Sequence, residues 1–253
     1  MVHIFPVSLD MLADFLTHLS NLNYAPSSIT SFISAISFVH KLLGVTDPAN
    51  EFIIKQALKG ARRMAGSRDG RLPITRALLV DIINAAVKTL LCNFTKTRFV
   101  AMCSLAFHAL LRLGEMTNSE NNLMLSDVKV ETGRIIIQFR CYKHSQGVQS
   151  THNIPALPGS LSCPVENMSK FLALRGRSQG PLFTTVYATA VDRRVFSAEL
   201  RTVIQKLGLY PKRYTSHSFR IGAASSLAAE GASDAQIRQA GRWASSAFLS
   251  YIR

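Results

Sequence analysis

Acid is scarce in this chain. Its 253 residues hold 15 Asp and Glu against 29 Lys and Arg, a formal charge of +14. An excess of that size speaks to partners rather than to fold, and it points to nucleic acid, an anionic membrane surface or an acidic protein. Charge as a whole is sparse too. With 17% of residues charged and 47% hydrophobic, a disordered basic tail is excluded and a folded core is expected. Long apolar runs are missing: the longest, Phe99 to Leu111, contains His108 and is bounded by Arg98 and Arg112, whereas a membrane span needs about 20 apolar residues. No membrane partner is expected, and the first residues do not read as a secretory signal. Cys92, Cys103, Cys141 and Cys163 form no C-x-x-C pair, which fits neither a zinc site nor a disulfide framework. His144 and His152 match no zinc spacing either, so neither a metal nor another cofactor is expected.

What is present is mostly helical pattern. Leu9, Leu12, Phe15, Leu16, Leu19 and Leu22 make one apolar stripe, and Ile29, Phe32, Ile33, Ile36, Val39 and Leu43 make a second that stops at Gly44. Asp47 and Pro48 open a third helix, expected to run to Met64. Lys55, Lys59, Arg62, Arg63, Arg68 and Arg71 give that helix and its exit a basic edge. Gly66 to Arg71 holds no apolar residue and reads as a linker. The division expected is a helical bundle at 1–66, a linker at 67–71 and a larger domain at 72–253.

In the larger domain Thr75 caps a helix, and a second apolar helix runs from Thr97 to Leu111. The period then changes, and Arg134 to Tyr142 with Ser150 to Ile154 predict a β-hairpin. Helices resume near Val165, Ser197, Ser218 and Asp234, the last of these closed by Gly241. The fold class is therefore mainly α with a small antiparallel β-hairpin or sheet. Arg193, Arg194, Lys212 and Arg213 belong to a basic stretch interleaved with Tyr210 and Tyr214, a pattern that suits nucleic acid.

Several polar residues stand where they are costly. Arg112 ends the most apolar helix, and its guanidinium is either paired with Glu115 or aimed at a ligand. His217 and Arg220, three apart at a helix start, share a face with the unpaired N–H groups of the first turn and make an anion site. Trp243 is the only tryptophan, and Tyr251 lies on a short terminal helix. Singly, each of these features also reads as packing.

In order, Arg112, Lys143, His217, Arg220, Trp243 and Tyr251 resemble the tyrosine recombinase (phage-integrase) family over essentially the whole chain. The ending Gly241-Arg242-Trp243 with Tyr251 looks most like the eukaryotic mobile-element branch. The resemblance implies a core-binding domain at 1–66, truncated at its amino end, and a catalytic domain at 72–253. It implies a DNA recombinase, nuclear in a eukaryotic host and otherwise cytoplasmic or nucleoid, acting on double-stranded DNA as a dimer or tetramer, that uses no cofactor. Tyr251 would be the nucleophile, Arg112 and Arg220 the phosphate clamp, His217 the proton acceptor, Lys143 the general acid, Trp243 an indole donor and Glu115 the support of Arg112. Lys129 and Arg140 are rival acids, and Tyr142, Tyr210 and Tyr214 rival nucleophiles. A DNA-binding derivative without strand exchange, and a type IB topoisomerase-like activity, stay open as alternatives.

Overall fold

The computed structural model describes residues 5–64, 69–140 and 149–253. It divides between Gly70 and Arg71 into two compact units. In the first, α1 (Leu9–Asn21), α2 (Pro26–Leu42) and α3 (Phe52–Met64) enclose a small core of Leu12, Leu16, Leu19, Ile29, Ile33 and Ile54. The helix expected from Pro48 is interrupted. Asp47 accepts from Ala49 N at 3.0 Å but starts only a 3-10 turn, Pro48–Asn50, and Glu51 is extended before α3 begins. The Asp47 carboxylate also accepts from the side chains of Ser37 and Asn50, local bonds that compete with continuing the helix.

The second unit runs through α4 (Arg76–Thr89), α5 (Asn93–His108), α6 (Leu113–Met116), β1 (Val128–Glu131), β2 (Arg134–Phe139), β3 (Ser150–Pro155), α7 (Pro164–Arg175), α8 (Arg193–Lys206), α9 (Ser216–Ala229) and α10 (Asp234–Gly241). It closes on a 3-10 turn, Ser246–Tyr251. Every residue of α5 from Arg98 to Phe107 is buried, because α4, α7 and α9 all pack on it. A helix covered all round carries no polar stripe. The Arg98 guanidinium in that interior is met by Glu199 of α8, whose carboxyl burial pushes above its ordinary range.

The sheet has three antiparallel strands in the order β1-β2-β3, one more than the expected hairpin. Val128 and Val130 alternate with Lys129 and Glu131 ahead of a turn at Gly133 (φ 86°), which is the period-2 signal of the additional strand. In the expected pair, β2 spans Arg134–Phe139, and Phe139 faces Ser150 across the register; the expected end at Tyr142 lies outside the described residues. Helices α4, α5 and α10 and the terminal turn pack on α9, whose start is fixed to the chain leading into α4: Ile74 N donates to Ser218 O at 3.0 Å.

That junction depends on a close approach. A Cβ on Gly222 of α9 would lie 1.8 Å from Ile74 O, a backbone atom that has nowhere to go. Gly222→Ala should therefore lower stability by about 1–3 kcal/mol or more, the usual effect of overpacking. Urea unfolding of the purified protein measures it, and an unchanged midpoint would contradict the packing described.

Candidate active site

The site begins where α5 ends. The helix stops at His108, so Arg112 does not close it as the sequence reading has it. Leu110 is left-handed (φ 46°), an uncommon state for a leucine, and Arg112, in an extended conformation, caps the short α6 instead. The turn leaves the carbonyls of Ala109 and Leu110 to serve as acceptors for guanidiniums that arrive more than 100 residues later. Glu115 is buried one turn on. Its Oε2 accepts from Arg112 N at 2.7 Å, and its Oε1 lies 3.3 Å from Arg112 Nη1.

The second segment is the start of α9. Thr215 accepts from His217 N and Ser218 accepts from Thr215 N, a reciprocal cap that fixes the first turn. From it Arg220 enters the interior with only 1% of its surface exposed. It donates to Leu110 O and, at 3.0 Å, to Gly241 O. Its guanidinium carbon stands 4.5 Å from the Trp243 ring centroid and 5.6 Å from that of Tyr251.

The third segment is the chain end. The Tyr251 ring lies 4.7 Å from His217 and 4.9 Å from Trp243. Gly241 permits this, since a Cβ there would fall 1.7 Å from the indole. The left-handed residue that closes α10 is Arg242 (φ 54°), not the glycine expected. Ser225 of α9 ties the end down, donating to Tyr251 O at 3.2 Å and accepting from Arg253 N at 2.9 Å.

Electrostatically the cluster is cationic. Arg112, Arg220 and Arg242 surround one carboxylate, Glu115. Burial, then the charges of Arg112 and Arg242, push the Arg220 guanidinium down to about 10, still protonated at neutral pH. A site with that excess accommodates a tetrahedral oxyanion, and planar guanidinium forks match its oxygens. Among the described residues no group of three His, Cys, Asp or Glu side chains is placed to hold a metal ion. His152 packs edge-on to Phe139 and is held down to about 4 by burial first and Arg242 second, which keeps it neutral.

Five of the residues singled out thus converge: Arg112, His217, Arg220, Trp243 and Tyr251, with Glu115 beneath Arg112. Lys143, His144, Tyr142 and Arg68 lie outside the described residues. The rival acids are engaged elsewhere, Lys129 with Glu131 at 2.7 Å and Arg140 with Asp127 at 2.6 Å. Lys55, Lys59, Arg62 and Arg63 are exposed along α3 at spacings that put them on one face. Arg193 and Arg194 are exposed on the first turn of α8, and Lys212 and Arg213 on the 3-10 turn Pro211–Arg213, while Arg71 is partly buried. Sequence reasoning missed Arg242 and Ser225 as parts of the site. The signal for Arg242 was its place beside Trp243; its partners were not readable.

A model of the phage integrase family matches residues 76–251. Recombinase cre of Escherichia phage P1 is 23% identical, over 98% of this chain and 77% of its own length. The XerA recombinase structure has 21% identity and a TM-score of 0.57, with 97% of this chain and 85% of that one covered. The Tn1549 transposon integrase in complex with transposon right end DNA superposes with a TM-score of 0.70 at 13% identity, covering 100% and 82% of the two chains.

The geometry at Gly241 is directly measurable, because Trp243 is the single tryptophan of the chain. Gly241→Ala should push the half-buried indole outward and shift its fluorescence emission to longer wavelength. Emission unchanged from the wild type would mean that the ring does not rest on Gly241.

Proposed function

The chain belongs to the phage integrase family, and from that membership we propose that it cuts and rejoins double-stranded DNA through Tyr251. The observation that carries the assignment is the seating of the Tyr251 ring against His217 and Trp243 and beside the Arg220 guanidinium. Tyr251 Oη attacks a backbone phosphorus, and the P–O5′ bond breaks. A 3′-phosphotyrosyl link forms and a 5′-hydroxyl leaves. Attack of a 5′-hydroxyl on that link reverses the step, so the bond energy is conserved without ATP. A free phenol has a pKa near 10, so its proton needs an acceptor, and His217 takes that part. Lys143 protonates the departing oxygen. Arg112 and Arg220 stabilise the charge that grows on the non-bridging oxygens in the transition state, with Trp243 as an added N–H donor.

The same reading makes 1–66 a core-binding domain, 67–71 a linker and 72–253 the catalytic domain. Lys55, Lys59, Arg62, Arg63, Arg68, Arg71, Arg193, Arg194, Lys212 and Arg213 hold phosphates along the duplex. Pairing of two sites calls for self-association on DNA, as a dimer or tetramer. The Gly241-Arg242-Trp243 ending favours the eukaryotic mobile-element branch, and with it a nuclear site of action.

Nicked suicide duplexes tiled across the DNA that flanks its gene test the chemistry. Wild type should leave an SDS-stable protein–DNA adduct, and Tyr251→Phe none. No adduct with wild type but salt-dependent binding would favour a derivative that only binds DNA, and relaxation of any supercoiled plasmid would favour a topoisomerase-like activity. An adduct that survives in Tyr251→Phe overturns the residue assignment. Arg220→Ala should slow adduct formation by about 10²–10³ while leaving most of the affinity, because one phosphate contact among many adds little to binding.

A further inference from the structure

Arg242 is buried beside the site and has no part in the chemistry just described. Its Nη2 donates to Glu115 Oε2 at 2.7 Å, and its Nη1 to Ala109 O at 3.3 Å. Its guanidinium carbon stands 3.8 Å from the Phe139 ring centroid. It therefore joins the α5–α6 turn, strand β2 and the segment that carries Trp243 and Tyr251. It also occupies a left-handed backbone position, φ 54°, that glycine fills more cheaply. A long cation kept at such a position has a use for its charge.

We infer that Arg242 is a positioning residue that takes up the charge of Glu115 and so leaves the charge of Arg112 available to a phosphate. Glu115 Oε2 is already shared between Arg112 N and Arg242 Nη2, both at 2.7 Å. The contact left between Glu115 and the Arg112 guanidinium is the longer one, at 3.3 Å. Arg112 also keeps about a quarter of its side chain exposed (24%), against 2% for Arg242. With Arg242 gone, Arg112 is the cation still hydrogen-bonded to the buried carboxylate, and a full pair between them would draw that guanidinium inward and cancel its charge. In the native arrangement one cation is spent on Glu115 inside the protein, and the charges of Arg112 and Arg220 are left to act on the ligand. The inference rests on the reading of this site as one that binds and cleaves a phosphodiester.

The test follows from the charge balance. Arg242→Gly removes the side chain while relaxing the left-handed backbone, which makes it the variant best able to fold. It should bind the duplex within about twofold of wild type yet form the phosphotyrosyl adduct at least tenfold more slowly. Glu115→Gln in that background removes the uncompensated carboxylate and keeps an acceptor for Arg112 N, so the double variant should recover much of the rate. Orthovanadate alone, titrated at fixed ionic strength and read by Trp243 fluorescence, should bind in the same order: wild type, double variant, single variant. The urea midpoint should fall in Arg242→Gly and rise again in the double variant, a readout that needs no DNA chemistry. A structural brace would behave differently, with the second substitution adding to the loss. Wild-type cleavage in Arg242→Gly, or a double variant worse than the single one in midpoint and rate, overturns the inference. A wild type that makes no adduct and binds no vanadate fails the phosphodiester reading instead, and the urea series then decides whether Arg242 and Glu115 are balanced against each other.

Discussion

Two guanidiniums buried on one backbone turn hold the site together. Arg220 and Arg242 reach the carbonyls of Ala109 and Leu110 from different segments, and neither charge would be tolerated in the interior without those acceptors and Glu115. The turn is itself strained at Leu110, an uncommon left-handed leucine that three hydrogen bonds from later side chains make worthwhile. Once Leu110 is turned, Arg112 is delivered to the start of α6 with its backbone on Glu115. The orientation of Arg112 is thus a consequence of where the interior places its hydrogen-bond acceptors.

The rest of the second unit supplies rigidity to that arrangement. Because α5 is enclosed on all sides, its end cannot shift without disturbing α4, α7 and α9 together. Helix α9, which bears His217 and Arg220, packs on α5 and, through Gly222, on Ile74, and Ser225 of α9 holds the terminal turn at Tyr251 and Arg253. Tyr251 is held through its backbone. Its ring lies among polarisable neighbours, His217, Trp243 and Arg220.

Local features were legible in the sequence and distant ones were not. The Thr75 cap, the Gly44 stop and the His217 and Arg220 pairing depend on residues within a turn of each other, and each could be read from spacing. The break at Glu51 escaped because the competition comes from Ser37, ten residues from Asp47. Arg242 escaped for a stronger version of the same reason. Its partners Ala109, Leu110 and Glu115 lie 127 to 133 residues away, and nothing in the tripeptide Gly241-Arg242-Trp243 says that the arginine turns inward. The left-handed backbone at Leu110 is likewise imposed by tertiary contacts against the local preference of the residue. The catalytic order of residues, by contrast, could be matched to a family because order survives where distance in the fold is unknown.

The positive charge of the chain therefore acts in two separate ways. Cations along α3 and on the first turn of α8 are exposed, so their attraction to a polyanion is shared with water and small ions and weakens as salt is added. Arg220 and Arg242 are buried, their surroundings are fixed before any ligand arrives, and mobile ions cannot screen them. In the proposed strand cleavage the first group would supply most of the affinity for a duplex, Arg220 would stabilise the transition state, and Arg242 would offset Glu115. Net charge counts both alike. The distinction between them lies in burial, and burial here traces back to one left-handed leucine whose carbonyl two arginines share.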